Sequence, residues 1–394
     1  MAYNRKQRLN DNIKAIETAF ILDREQRTPT ARERLLLERY CGFGGLKCIL
    51  NPARELADAV HWAKSDLELF APTVELHRLI RENSKNESGY KQLMDSLKQS
   101  VLTAFYTPSA VTEALTDVLK EHQIIPEKVL EPSAGIGAFV DSVLDNNPKA
   151  DIMAFEKDLL TGKILRHLHP EQKVRIEGFE KIEKPFNDYF DLAISNIPFG
   201  DVAVFDPSYT AMKGMRALVT RRIHNYFFVK ALDTVRDGGL VAFITSQGVL
   251  NAKNNSAARF MMLYHADLVS AIRLPNNLFT ENANTEVGSD LIILQKNSQK
   301  ESLRGDDNLL DTVYNDENRI PTNNYFLEHP ERIIHTTAKL DTDPFGKPAM
   351  IYTHEDGVEG IAEELRKMLN EDFGRHFHLS RYLGEEQTAL LLYL

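Results

Sequence analysis

The strongest constraint on the fold is a run of short apolar segments that alternate with helix-patterned ones from residue 102 to residue 300. Lys128–Leu130, Ala150–Phe155, Val174–Ile176, Leu192–Ile194, Leu240–Thr245, Leu268–Leu274 and Ser289–Gln295 read as strands, most of them apolar enough for both faces to be buried. Segments such as Ser109–Lys120 and Tyr226–Val235 carry helix spacing between them. That alternation predicts an α/β fold with a doubly wound, Rossmann-like sheet, in which chemistry gathers at the carboxyl ends of the strands.

Two of those ends are unusual. The strand Leu192–Ile194 runs into Ser195-Asn196-Ile197-Pro198-Phe199-Gly200, which delivers an amide, a stiffening proline and an aromatic ring into a Gly-terminated turn. An amide oxygen and a neighbouring main-chain carbonyl can accept both hydrogens of an amino group, while Phe199 offers a stacking face for a flat polar ring. Taken alone, the segment is equally an ordinary strand exit. The other end is Glu131-Pro132-Ser133-Ala134-Gly135-Ile136-Gly137, a small-residue turn that lets a cofactor approach the backbone. It lacks the third glycine of a dinucleotide fingerprint, since Val140 stands there. Glu156 follows at the tip of the next strand, where a carboxylate can accept from both hydroxyls of a ribose. Phe179 or Glu180 can border an adenine after the third strand.

Upstream, Tyr106-Thr107-Pro108 opens the helix Ser109–Lys120, and its hydroxyls can cap that helix or hold a ligand carboxylate; capping is the commoner role. Residues 10–100 read as mostly helical, over Asn12–Asp23 and Thr30–Tyr40, with the glycine-rich turn 41–46 read as a helix stop. Beyond the Asn196 loop, Lys213, Arg216, Arg221 and Arg222 form a local basic surplus placed to meet phosphates, although such clusters are usually solvated faces. Past residue 300, Glu355–Asn370 is a helix and the remainder carries no assignable chemistry.

Composition then removes classes of function. Two cysteines, Cys41 and Cys48, are too few for a disulfide framework or a four-ligand zinc site. No apolar run reaches membrane-span length and the first ten residues are polar, so a cytoplasmic protein without a membrane partner is expected. A formal charge of −10 excludes a uniformly basic coat, though not a basic cleft.

In this order, the pieces resemble adenine-specific (N6) DNA methyltransferases that use S-adenosyl-L-methionine. Residues 104–108 resemble the family's leading motif near the methionine part of the cofactor, residues 131–137 its glycine motif, Glu156 its ribose acid, and Ser195–Phe199 its catalytic Asn-Pro-Pro-aromatic loop. Arg273-Leu274-Pro275 with Phe279, followed by 285–294, is similar to the end-of-sheet pattern. The resemblance implies methyl transfer to a flipped-out adenine, with Asn196, Ile197, Pro198 and Phe199 catalytic. The cofactor would lie on Tyr106, Thr107, Pro108, Glu131, Pro132, Ser133, Ala134, Gly135, Gly137, Glu156 and Phe179, and no metal is required. Ile197 replaces the first proline of the family's loop, which is expected to loosen it while leaving the carbonyl in place. Gly42-Phe-Gly-Gly-Leu46 is similar to the methylase portion of large phage and mobile-element methylase–helicase proteins, which implies a helicase or further domains as partners. A protein-glutamine methyltransferase, or a non-catalytic module that only binds cofactor or DNA, is the competing reading. The expected layout is an N-terminal helical region (1–101), the methyltransferase domain (102–300) and a C-terminal extension (301–394).

Overall fold

The structure, a computed structural model, describes residues 4–103, 106–212, 214–280, 286–303, 307–314, 319–343 and 346–384. Its centre is a seven-stranded sheet of order β3-β2-β1-β4-β5-β7-β6. The strands are β1 (Lys128–Glu131), β2 (Asp151–Phe155), β3 (Lys173–Arg175), β4 (Phe190–Asn196), β5 (Val235–Ser246), β6 (Ala266–Leu274) and β7 (Ser289–Lys296). β1 to β5 are parallel, and β7 runs antiparallel to both of its neighbours. Parallel strands covered on both sides are apolar where they are covered, and the middles of β4 (Leu192–Ile194) and β5 (Leu240–Ile244) are continuous apolar runs.

Alternate residues feed two cores. Val129, Ile152, Ile194, Ile244 and Leu291 face one layer, while Leu130, Met153, Ala193, Phe243 and Ile292 face the other. The first layer contains α5 (Ser109–Glu121), α6 (Ala138–Asn146) and a long C-terminal helix, Gly357–His376, whose Ile361, Leu365, Leu369 and Phe373 are buried in it. The second contains Tyr226–Leu232 and Ala258–Leu263 from helices Ile223–Thr234 and Ser256–His265. The segment expected to be an extension thus covers the sheet itself.

A third core joins α1 (Arg5–Glu25), α2 (Ala31–Leu37), α3 (Phe70–Glu82) and α4 (Glu87–Thr103) to α7 (Leu159–Leu168), through Leu160, Ile164 and Leu168. The glycine-rich turn 41–46 is not a helix stop: α2 ends at Leu37 in right-handed geometry. Instead Asn12 of α1 accepts from the Cys41 amide (2.9 Å) and donates to the Gly42 carbonyl (2.7 Å), so the turn is a ledge on which α1 docks. Among the described residues, no helix is long and apolar enough to cross a membrane.

Candidate functional site

The order of the sheet reverses between β1 and β4, which pair in register Val129↔Leu192 and Leu130↔Ala193. This is the switch point at which open α/β sheets bind ligands. It brings the glycine turn after β1 and the Asn196 loop after β4 side by side. The Ser195 hydroxyl donates to the Ser133 carbonyl at 3.3 Å and stitches the two loops together.

The turn is also tied to the tip of β2. The Ala134 amide donates to the Phe155 carbonyl (2.8 Å), and the Gly135 amide donates to one carboxylate oxygen of Glu156 (2.8 Å). The other oxygen accepts from the Asp158 amide (2.6 Å). Gly135 has φ +56°, and a Cβ there would stand 2.9 Å from the Tyr106 ring. At Gly137, with φ +93°, a Cβ would meet His169 and Leu165 at 2.8 Å. Burial, helped by the neighbouring Asp158 charge, pushes the Glu156 carboxyl up to about 8. This acid therefore organises the glycine turn.

Glu131 is 2% exposed, and burial raises its carboxyl well above the usual range, partly offset by the Ser195 hydroxyl. Among the described residues its Oε2 is buried without a hydrogen-bond partner, as is Oγ1 of Thr107. Capping is not the role of the Thr107 region: α5 begins behind Pro108 with no side-chain cap. Orphaned buried polar atoms cost roughly 1–3 kcal/mol each, so two of them on either side of a glycine turn call for a ligand or a water. A cavity of about 460 Å³ opens on the Thr107 side of the turn, between Tyr106, Thr107, Ile136 and Ala138 and the N-terminal Arg34 and Tyr40; Glu131 and Glu156 do not line it. Phe179 is placed differently from expectation. It is fully buried against Phe155, Tyr226 and Phe227, and offers no free face to an adenine.

Asn196 ends β4, and Ile197 continues the ladder, its amide donating to the Ile244 carbonyl at 3.0 Å. The Ile197 side chain is 1% exposed in the second core. The expected loosening is therefore absent: isoleucine supplies a main-chain donor and an apolar anchor, and proline has no N–H to give. Phe199, half-buried after Pro198, meets Phe279 edge to face with ring centroids 6.2 Å apart. Gly200, at φ +144°, releases the chain from the loop. Sequence reasoning missed the polar atoms across the same edge. The hydroxyls of Thr245, Thr280 and Ser289 and the amide nitrogen of Gln247 are buried and have no partner among the described residues. The available signal was hydroxyl and amide residues at the ends of otherwise apolar strands.

The basic cluster does not stand free. Arg216 forks onto Asp233 (2.6 and 2.9 Å). Arg222 is held by Asp201 (2.7 Å) and by the amide oxygens of Asn254 (2.7 Å) and Asn255 (2.9 Å). Both guanidinium groups are thus engaged within the chain, Arg216 by a part-buried carboxylate and Arg222 by the exposed Asp201 and two amides. Arg221 is exposed, with no ion pair among the described residues, and Lys213 lies outside them.

Comparison with known proteins follows the same lines. The chain is 29% identical over 201 residues to the "Defense against restriction protein B" of Escherichia phage P1, a match covering 50% of this chain and 8% of that protein. It is 25% identical over 173 residues to the type II methyltransferase M.XamI of Xanthomonas campestris pv. amaranthicola, covering 41% of this chain and 33% of the other. The chain thus spans a third or less of the length of each. Among solved structures, a Listeria monocytogenes protein assigned to the class I S-adenosylmethionine-dependent methyltransferases aligns with a TM-score of 0.43 at 15% identity, over 75% of this chain and 90% of that one. The family model for N-6 DNA methylase matches residues 89–352, from α4 through the whole sheet and beyond it. On that match, which takes in well over half of its residues, the chain belongs to the N-6 DNA methylase family.

Proposed function

We propose that the protein transfers a methyl group from S-adenosyl-L-methionine to the N6 amine of an adenine turned out of DNA. The observation that carries this reading is the Ser195–Ser133 stitch, which fixes a glycine turn suited to a cofactor against a loop suited to an aromatic amine. The chain's own residues fit the cofactor: a turn with no room for a Cβ, two orphaned buried polar atoms on Glu131 and Thr107, and a carboxylate on the adjoining strand tip. Tyr106, Thr107 and Pro108 would hold its methionine end, Glu131 to Gly137 would cradle it, and Glu156 would take the ribose. When bound, the cofactor supplies an electrophilic methyl group.

The remaining work falls to the Asn196 loop. The Asn196 side-chain oxygen and the Ile197 carbonyl accept the two amine hydrogens and keep the nitrogen lone pair directed outward. Phe199 stacks on the base with about 1–3 kcal/mol, which offsets part of the cost of unstacking it. Of the four basic residues, Arg221 is the one we assign to the DNA backbone. The chain spans only 8% of its phage relative, which is in keeping with a methylase part that works beside a helicase or other domains.

The test is transfer of labelled methyl from S-adenosyl-L-methionine to separate DNA, RNA and protein pools, with the modified base identified. Label should enter DNA as N6-methyladenine. Asn196→Ala should slow transfer by about a hundredfold to a thousandfold while cofactor affinity holds, because a preorganised contact at the reacting centre is lost. Label entering glutamine of the protein pool, or wild-type rates in Asn196→Ala, would refute the reading.

A further inference from the structure

One buried hydroxyl at the sheet edge has no structural purpose. Ser289 opens β7, is 0% exposed, and pairs with Ser246 of β5 on one side and Leu274 of β6 on the other. Its Oγ has no hydrogen-bond partner among the described residues. Alanine would fit the same backbone without the penalty of an unsatisfied hydroxyl, so the serine costs stability where it stands.

Its place in the sheet indicates what it is for. Alternation puts Ser289 on the same face as Leu291 and Ile293, and Asn196 on the same face as Leu192 and Ile194; all four apolar residues belong to one core. Because β7 is antiparallel, its first residue lies at the carboxyl edge of the other strands, the edge that holds Asn196. Phe279 belongs to that core and Phe199 packs against it, so the two rings border the same face. Asn196 pairs with Ile244, and Ser289 pairs with Ser246 two residues further along β5. Two strand spacings of about 4.8 Å and two rises of about 3.3 Å put the α-carbons of Asn196 and Ser289 on the order of 12 Å apart. That span takes one purine ring with a hydrogen bond of about 2.9 Å at each end.

We infer that the Ser289 hydroxyl reads the target base: it donates to N3, the acceptor nitrogen of the adenine ring farthest from the amine, while Asn196 and Ile197 hold N6. This rests on the proposed adenine methylation and adds a group that recognises the ring as well as its amine. A donor at that edge gives N3 a partner and satisfies the hydroxyl that the protein leaves unpaired.

The experiment compares single-turnover methyl transfer to DNA copied with deoxyadenosine or with 3-deazadeoxyadenosine, for the wild-type chain and Ser289→Ala. Wild type should lose roughly five- to tenfold on the 3-deaza DNA, the worth of one hydrogen bond of ordinary strength. Ser289→Ala should show that loss already on adenine, treat both DNAs alike, and unfold at the same denaturant concentration as wild type or a higher one. Equal wild-type rates on the two DNAs, or a 3-deaza penalty that persists in full in Ser289→Ala, would overturn the inference while leaving adenine methylation intact. Absence of transfer to either DNA would sink the methylase reading itself, and the inference with it.

Discussion

Ile197→Pro restores the residue that the related catalytic loops carry at this position, and it should harm the protein. Proline removes the amide that donates to the Ile244 carbonyl at 3.0 Å. Ile244 is 0% exposed, so its carbonyl would be left buried and unpaired at a cost of about 1–3 kcal/mol. Exchanging a side chain that is 1% exposed for a smaller ring removes at least one buried methylene and adds a residual cavity, about 1–2 kcal/mol more. The sum, roughly 2–5 kcal/mol, is a large part of the 5–15 kcal/mol by which domains are ordinarily stable. The distortion also falls on Asn196, one residue away. Chemical denaturation and single-turnover transfer should be run in parallel on the wild type, Ile197→Pro and Ile197→Val. Valine keeps the donor and should cost only about 0.5–1.5 kcal/mol, with transfer nearly unchanged. A proline variant as stable as wild type, or faster, would refute the claim that the Ile197 amide holds the loop.

Two further outcomes follow from charges inside the fold. Glu156 has an ordinary value of 4.5 and is raised to about 8 by burial, so the folded state keeps a proton that the unfolded chain releases. Its stabilising contribution is complete below about 4.5 and is lost as pH rises through about 8, with Glu131 shifted in the same direction. Stability should therefore fall between about pH 4.5 and pH 8, less steeply in Glu156→Gln, and a flat wild-type profile of denaturation midpoints would contradict this. Arg216→Ala strips Asp233 of its forked partner and should lower the midpoint, whereas Arg221→Ala should leave it unchanged and reduce the salt slope of DNA binding by about 0.9. Equal stability losses, or an unchanged slope in Arg221→Ala, would count against the division.

The parallel sheet was legible because strands covered on both faces leave continuous apolar runs, and β1, β2, β4, β5, β6 and β7 all lie where such runs stand. The glycine turn and the Asn196 loop were legible because local spacing alone puts them at strand ends. What escaped depends on partners far away in the chain. The donor role of Ile197 requires Ile244, and the quenching of Arg216 requires Asp233, both visible only once the strands and helices have paired. Phe179 was assigned by its position after β3, but a ring at a strand end can turn inward, and three aromatic neighbours drew it in. The C-terminal helix was expected over Glu355–Asn370 and spans Gly357–His376; its amphipathic pattern marks a helix but not the face on which it packs.

The sharing of α7 between the N-terminal helices and the sheet matters while the chain is being made. α1 to α4 leave the ribosome with their apolar faces incomplete, because Leu160, Ile164 and Leu168 lie in a helix that begins almost sixty residues after α4 ends. At synthesis rates of about 5–20 residues per second, that interval lasts on the order of 3–11 s. During it the first hundred residues are a bundle with one open side. The N-terminal core closes only after the glycine turn and Glu156 have been synthesised, so the supporting helices and the strand tips they brace mature together.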